Sequence, residues 1–381
     1  MAPLLDSVLD GSDPFEGTKY RSIGILGKGG MGAAHVVEHR LLGTHFVCKV
    51  LRGRHRNNRG AADRMRVEAQ SLARLVHPNI VKVFDFEFTR DGRPFIVMER
   101  LEGHTLTQEL RMRGELPALE AIDITRQLLS ALSMAHSLGI IHRDIKLENL
   151  FLHRAGTGKP VLKVLDFGVA KIVEGTSELA PIPAQIPTRT GVVVGTPRFL
   201  SPEAAVGRAV DQRADVYSAS VVLYMLLCGR GPWDDANSDA GVFSAQVHRA
   251  PPTPSNFAHQ VIAPDLQAVV LIGMNKDPDE RFQTAMAFDS ALGKIAQQLE
   301  AERSARSVKS SSPPAAEGEP VSSQARLKLS VEQKAKTASL EMAASGANAR
   351  KQFVIQAVAF AISAVASAAA TWWCVSVLWH K

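Results

Sequence analysis

Short alternating apolar runs occupy the first hundred residues, and helical periodicities take over after them. Ile23–Leu26 and Ala33–Val37 flank a glycine-rich stretch, Gly27-Lys28-Gly29-Gly30-Met31-Gly32, and predict a hairpin. Phe46–Lys49 reads as a strand, Ala62–Leu75 as a helix with Met65, Leu72 and Leu75 on its apolar side, and His77–Val81 as the end of that helix and the start of another strand. Phe95–Glu99 predicts a last strand, broken at Glu102-Gly103. From Leu116 the period changes. Ile122, Leu128, Leu129, Leu132 and Ala135 recur at three- and four-residue spacing within Ala118–Leu138, with Gly139 as the stop. A turn at Thr157-Gly158-Lys159 precedes a strand at Val161–Leu165, and Asp215 opens an apolar helix that runs through Leu227. The fold class is therefore α+β: a small antiparallel-sheet lobe over 20–100, then a mostly helical lobe over 104–299.

The flanks differ in composition. Residues 1–19 read as a leader, loose through Glu16, with no secretory segment. Residues 300–352 read as a flexible linker, richest in Ser, Pro, Ala and Glu between Ser304 and Ser323. Phe353–Trp379 holds 27 residues without a charge, enough for a single transmembrane helix. The alternative, a buried core helix, lacks a second domain to bury it. Arg350 and Lys351 precede the span and Trp372, Trp373 and Trp379 sit toward its far end, so the expected location is the cytoplasmic membrane, single-pass, with the bulk of the chain in the cytoplasm.

Charge adds little. The net charge of +6 is dispersed except for the basic run at 51–66, which suits a solvated face or a docking patch for an acidic partner. No reading motif accompanies it, so no nucleic-acid partner is expected. Cys48, Cys228 and Cys374 lie in apolar runs without metal-ligand spacing, and the first two are expected as buried, reduced thiols.

Candidate chemistry concentrates in Ile141–Asn149, Ile-His-Arg-Asp-Ile-Lys-Leu-Glu-Asn, and in Val161–Gly168, which ends Asp-Phe-Gly. Asp144 and Asn149 share a polar loop, and Asp166 closes a strand-like run. Hard carboxylate and amide oxygens suit magnesium, although a single Asp or Asn is more often a turn cap. Lys49, on an otherwise apolar strand, requires a partner, and Glu68 on the following helix is the expected one. The glycine-rich turn admits phosphate oxygens to backbone amides or is merely a pliant hairpin.

Taken together, these motifs resemble the bacterial eukaryotic-like serine/threonine protein kinase family. Thr190–Pro197 followed by Ser201-Pro202-Glu203 is similar to the end of that family's activation segment, and Trp233 and Lys276–Arg281 are further landmarks. The resemblance spans about Tyr20 to Leu299. It implies a bilobal protein kinase fold that binds ATP and Mg2+, with Mn2+ as an alternative. Leu26, Gly27, Gly29, Gly32 and Ala34 would contact the nucleotide. Lys49, paired with Glu68, would hold its phosphates, Met98 would back the adenine pocket, and Glu99 to Leu101 would offer backbone hydrogen bonds to the base. Asp144 would accept the substrate hydroxyl's proton, Lys146 would meet the γ-phosphate, and Asn149 and Asp166 would bind metal. Arg143 would receive a phosphate on Thr188 or Thr190, Thr196 would help form the wall for the residue after the target hydroxyl, and Glu203 would pair with Arg281.

Several positions depart from the family pattern: Ala34 and Val47 beside the adenine site, Leu147 in place of proline, Ser201 in place of alanine, and Ser220 in place of glycine. The expected activity is phosphoryl transfer to protein Ser/Thr hydroxyls, with autophosphorylation. The alternatives are a membrane-anchored pseudokinase scaffold and a kinase of lipids or small molecules. Expected partners are protein substrates, a second copy during autophosphorylation, and the membrane through the C-terminal helix.

Overall fold

The computed structural model describes residues 13–29, 32–51, 73–154, 156, 158–167 and 197–310. The small lobe is a five-stranded antiparallel sheet in the order β1-β2-β3-β5-β4. Its strands are β1 (Tyr20–Gly29), β2 (Gly32–His39), β3 (His45–Leu51), β4 (Val83–Phe88) and β5 (Pro94–Met98). The hairpin is longer than its apolar runs suggested. Irregularities in the β1–β2 register between Ser22 and Gly24 and between Ile25 and Gly27 let the pairing continue to Gly29 opposite Gly32. Gly32 has φ +151°, and a Cβ there would stand 1.9 Å from the Val50 carbonyl oxygen. Only glycine fits so close to β3.

Alternation along β3 decides which side chains reach the cleft. Cys48 and Val50 turn into a small-lobe core with Tyr20, Val37, Phe95 and Val97, so Val47 and Lys49 face the other way. Phe15 completes that core and is fully buried, edge-on to Phe95 at 5.1 Å and to His35 at 5.3 Å. The leader therefore ends earlier than expected. Asp13 anchors its described part, accepting the amide of Phe15 at 3.1 Å and pairing with Arg40 at 3.2 Å.

The second lobe begins with β6 (Gly103–Thr105), where the sequence suggested only a break. It joins β7 (Leu150–His153) and β8 (Val161–Val164) in a three-stranded sheet. The helices are α1 (Leu106–Arg113), α2 (Ala118–Ser137), α3 (Pro202–Ala205), α4 (Arg213–Cys228), α5 (Asp239–His248), α6 (Pro264–Gly273) and α7 (Ala285–Ser310). Every residue of α4 from Ala214 to Cys228 is buried, as expected of a helix that is apolar on all sides. Its Ser220, placed where the family carries glycine, fits because Gly273 of α6 faces it. A Cβ on Gly273 would lie 1.9 Å from Ser220 Oγ.

α7 continues to Ser310, past the boundary expected at 299. Of the helix expected over Ala62–Leu75, only the end is described: Ala73 is helical, and Leu75 lies beyond the helix, buried in the core. The span expected over 353–379 lies outside the described residues, among which no helix is long and apolar enough to cross a membrane. Cys48 and Cys228 are free and buried, and burial raises both thiol pKa values.

Candidate active site

Asp215, at the start of α4, organises the loop that carries Asp144. Its carboxylate accepts the amides of His142 at 2.8 Å and Arg143 at 2.9 Å, and His136 Nε2 lies 2.8 Å from the same group. These bonds hold Arg143 at φ +65°. Sequence reasoning noted Asp215 only as a helix start. A second tie, from His142 Nε2 to the Leu165 carbonyl at 3.0 Å, fastens the loop to the end of β8.

Asp144, Lys146 and Asn149 come together within that loop. Lys146 Nζ lies 2.8 and 2.7 Å from the two Asp144 carboxylate oxygens. Asn149 Nδ2 donates to the Asp144 carbonyl at 2.8 Å and to Asp144 Oδ2 at 2.9 Å. Both amide hydrogens are thus used, and Asn149 Oδ1 is left as an acceptor. The Leu165 amide donates to the Asn149 carbonyl at 2.8 Å, which sets Asp166 one residue beyond the loop's edge. Asp166 has φ +57°, and its Oδ2 receives Lys49 Nζ at 2.5 Å. Lys49 therefore meets Asp166. Glu68, its expected partner, lies outside the described residues.

The segment between the lobes holds the adenine-site candidates. Met98 and Phe167 line a small apolar cavity that Asp166 also borders. The Glu99 amide donates to the Lys82 carbonyl at 2.9 Å, whereas its own carbonyl and the Leu101 amide make no hydrogen bond among the described residues. Glu99 Oε1 accepts the Lys82 amide at 2.8 Å and Lys163 Nζ at 2.7 Å. The sequence reading missed this brace, although Lys163 on an apolar strand carried the same signal as Lys49. Leu26, half exposed, and Gly27 lie on β1, and Gly27 pairs with Ala34. Ala34 in turn stands opposite Lys49, and Val47 opposite Met98.

Arg143 Nε is buried and has no hydrogen-bond partner among the described residues. Thr188, Thr190 and Thr196 lie outside them. The Glu203–Arg281 pair is present and bidentate, at 2.9 and 2.7 Å. Burial is the largest single influence and works against the Glu203 carboxylate, but the Arg281 hydrogen bonds and charge, with smaller hydrogen-bond contributions, together outweigh it and hold its pKa below the usual glutamate value.

The donor set fits a magnesium ion. Asn149 Oδ1 and the second Asp166 oxygen are hard ligands without a hydrogen bond among the described residues. Among those residues no three His, Cys, Asp or Glu side chains gather as a metal cage. Two protein oxygens suit an ion that keeps water and phosphate as its other ligands.

The sequence profile of the family described as "Protein kinase domain" matches residues 20–292. The chain belongs to the protein kinase family. Among curated kinases it is similar to serine/threonine-protein kinase Pkn1 of Myxococcus xanthus, 35% identical over 76% of this chain and 40% of the relative. PksC of Streptomyces coelicolor is 37% identical over 75% and 50% of the two chains, and PknB of Mycobacterium leprae 37% over 74% and 44%. The chain thus spans half or less of the length of these relatives. A solved structure of a double mutant of the Mycobacterium tuberculosis PknI kinase domain aligns with a TM-score of 0.56 and 25% identity, over 73% of this chain and 96% of that one.

Proposed function

We propose that the chain is an ATP-dependent protein serine/threonine kinase that uses magnesium. The observation that carries this reading is the grouping of Asp144, Lys146 and Asn149 in one hydrogen-bonded loop, next to the Lys49–Asp166 pair. Asp144 is the base. Its carboxylate orients the incoming hydroxyl and takes its proton, while Lys146, already against that carboxylate, supplies positive charge where the transferring phosphoryl group gathers negative charge. Lys49 holds ATP as substrate by its phosphates, and Asn149 and Asp166 would hold the metal. Bound magnesium neutralises phosphate charge. The Glu99 carbonyl and Leu101 amide are available to the base of the nucleotide.

Arg143 Nε, which has no hydrogen-bond partner among the described residues, supports regulation by a phosphate on Thr188 or Thr190, since a phosphoryl group brings about −1.5 to −2 charges and strong acceptors for a guanidinium. The uncharged run at 353–379 supports a membrane anchor that keeps the kinase domain in the cytoplasm and concentrates copies for autophosphorylation.

A phosphotransfer assay with the full chain, labelled ATP and magnesium, followed by mapping of the modified residues, tests the reading. Transfer to Ser and Thr that is lost in Asp144→Asn is the expected result. Nucleotide binding without transfer to any protein would instead indicate a scaffold. Carbonate-resistant pelleting of a chain lacking 353–381 would refute the anchor.

A further inference from the structure

Between the C-terminal end of α2 and the segments that open α4 and α7 lies a cleft of about 440 Å³. His136 and Ile141 line one part of it, Asp211, Gln212 and Arg213 another, and Thr284 stands just ahead of α7. No residue assigned above to nucleotide, metal or the target hydroxyl borders it.

His136 carries the unspent chemistry. Its side chain is only 5% exposed, and Nε2 faces the Asp215 carboxylate at 2.8 Å. That carboxylate already accepts the amides of His142 and Arg143, so the ring nitrogen facing it is the donor and carries the proton. In the neutral ring Nδ1 is then a bare acceptor. It is buried with no hydrogen-bond partner among the described residues, a costly state for an interior polar atom.

The rest of the lining is biased the same way. Arg213 pairs with Asp211 at 2.7 Å and with Asp279 at 2.5 Å. One guanidinium answers two carboxylates, and the group keeps one surplus negative charge. Gln212 spends Nε2 on the Gln283 carbonyl at 3.0 Å, so Oε1 is left as an acceptor without a partner among the described residues. The cleft therefore offers acceptors, negative charge and the apolar surface of Ile141. An alkylammonium matches all three, with three donors and no acceptor at its head and methylenes behind it. The volume is in the range of small-molecule sites.

We propose that this cleft binds a small alkylammonium, such as a linear diamine, with the ammonium on Gln212 Oε1 and, directly or through one water, on His136 Nδ1. Donation to Nδ1 polarises the ring and strengthens the Nε2–H bond to Asp215. Occupancy thus steadies the His142 and Arg143 amides, and with them the Asp144 loop. Binding stands apart from the kinase reading; an effect on phosphoryl transfer rests on it.

The test titrates the full chain with diaminopentane by calorimetry, with pentanediol as the uncharged control. Saturable binding of one diamine per chain, and none of the diol, is expected. Asp279→Asn alters a side chain that is 81% exposed. It removes the surplus charge and should weaken binding severalfold while reducing its salt dependence. His136→Phe and Gln212→Leu should each weaken binding at least ~tenfold, the least that one hydrogen bond to a charged group is worth. With diamine bound, amide exchange at His142 and Arg143 should slow while α6 stays unchanged. If His136→Phe does not fold, Gln212→Leu, at a partly exposed position, decides. Absence of saturable binding, equal binding of the diol, or full affinity in Gln212→Leu would each overturn the inference and leave the kinase reading intact. So would binding of a lysine-bearing peptide without binding of the free diamine. Because binding is read by heat, an unaltered chain that transfers no phosphate would remove the kinase reading alone.

Discussion

Lys49 and Asp166 are far apart in the chain, yet Nζ of one lies 2.5 Å from Oδ2 of the other. The contact joins the small lobe's central strand to the end of β8, so the lysine is aligned by the residue proposed to offer an oxygen to metal. Lys49→Met should lower phosphotransfer by at least ~100-fold, the scale for losing one electrostatic donor at a reacting centre. Circular dichroism should show the fold retained. A labelled-ATP assay with near-normal turnover would refute the role.

Asp144→Asn should lower kcat by ~100-fold or more and leave KM for ATP little changed, because a positioned base acts on the chemical step. The asparagine keeps the shape that Lys146 and Asn149 surround, so melting temperature should move by no more than a few degrees.

The Glu203–Arg281 pair supports a stability prediction with a defined pH sign. Glu203 titrates below its ordinary value of 4.5, so its contribution is full above that pH. It is lost as pH falls through the lower folded-state value, because the unfolded chain binds the proton more readily. Urea unfolding should show stability falling as pH drops below 4.5, and Glu203→Gln should flatten that portion of the profile. Arg281→Met, which strands a buried carboxylate, should cost ~3–5 kcal/mol at neutral pH.

Ser220 and Gly273 should behave as one unit. Gly273→Ala forces a methyl group against Ser220 Oγ and should destabilise the protein by ~1–3 kcal/mol, the usual cost of overpacking. Adding Ser220→Gly should recover part of that loss. Additive effects in a double-mutant cycle by urea unfolding would mean that the two sites do not share the space.

The small-lobe strands, β8, the long helix α2 and the loop carrying Asp144 were legible because each leaves a local signature: alternation, three-four spacing, or a dense motif; the short strands β6 and β7 left none. What the sequence hid are pairings between distant positions that are individually ordinary. Nothing near Ser220 announces Gly273, and nothing near Asp215 announces the amides of His142 and Arg143. Gly32 was read for its approach to phosphate, while the geometry gives it a second reason, the Val50 carbonyl. Lys163 was the avoidable miss. A cation amid Val161, Leu162 and Val164 calls for a counter-charge, and Glu99 provides it.

Phe15 bears on where the protein kinase domain can be cut. Family likeness starts at Tyr20, but the ring edge-on to Phe95 and His35 belongs to a residue upstream of that limit. A recombinant fragment beginning at Tyr20 would keep all five small-lobe strands and carry a hole in the apolar layer behind them, a loss on the order of 3–5 kcal/mol if it resembles Phe-to-Ala truncation. Weak activity or aggregation in such a fragment would reflect the missing plug rather than a defect in the nucleotide cleft, and restoring residues 13–19 would separate the two.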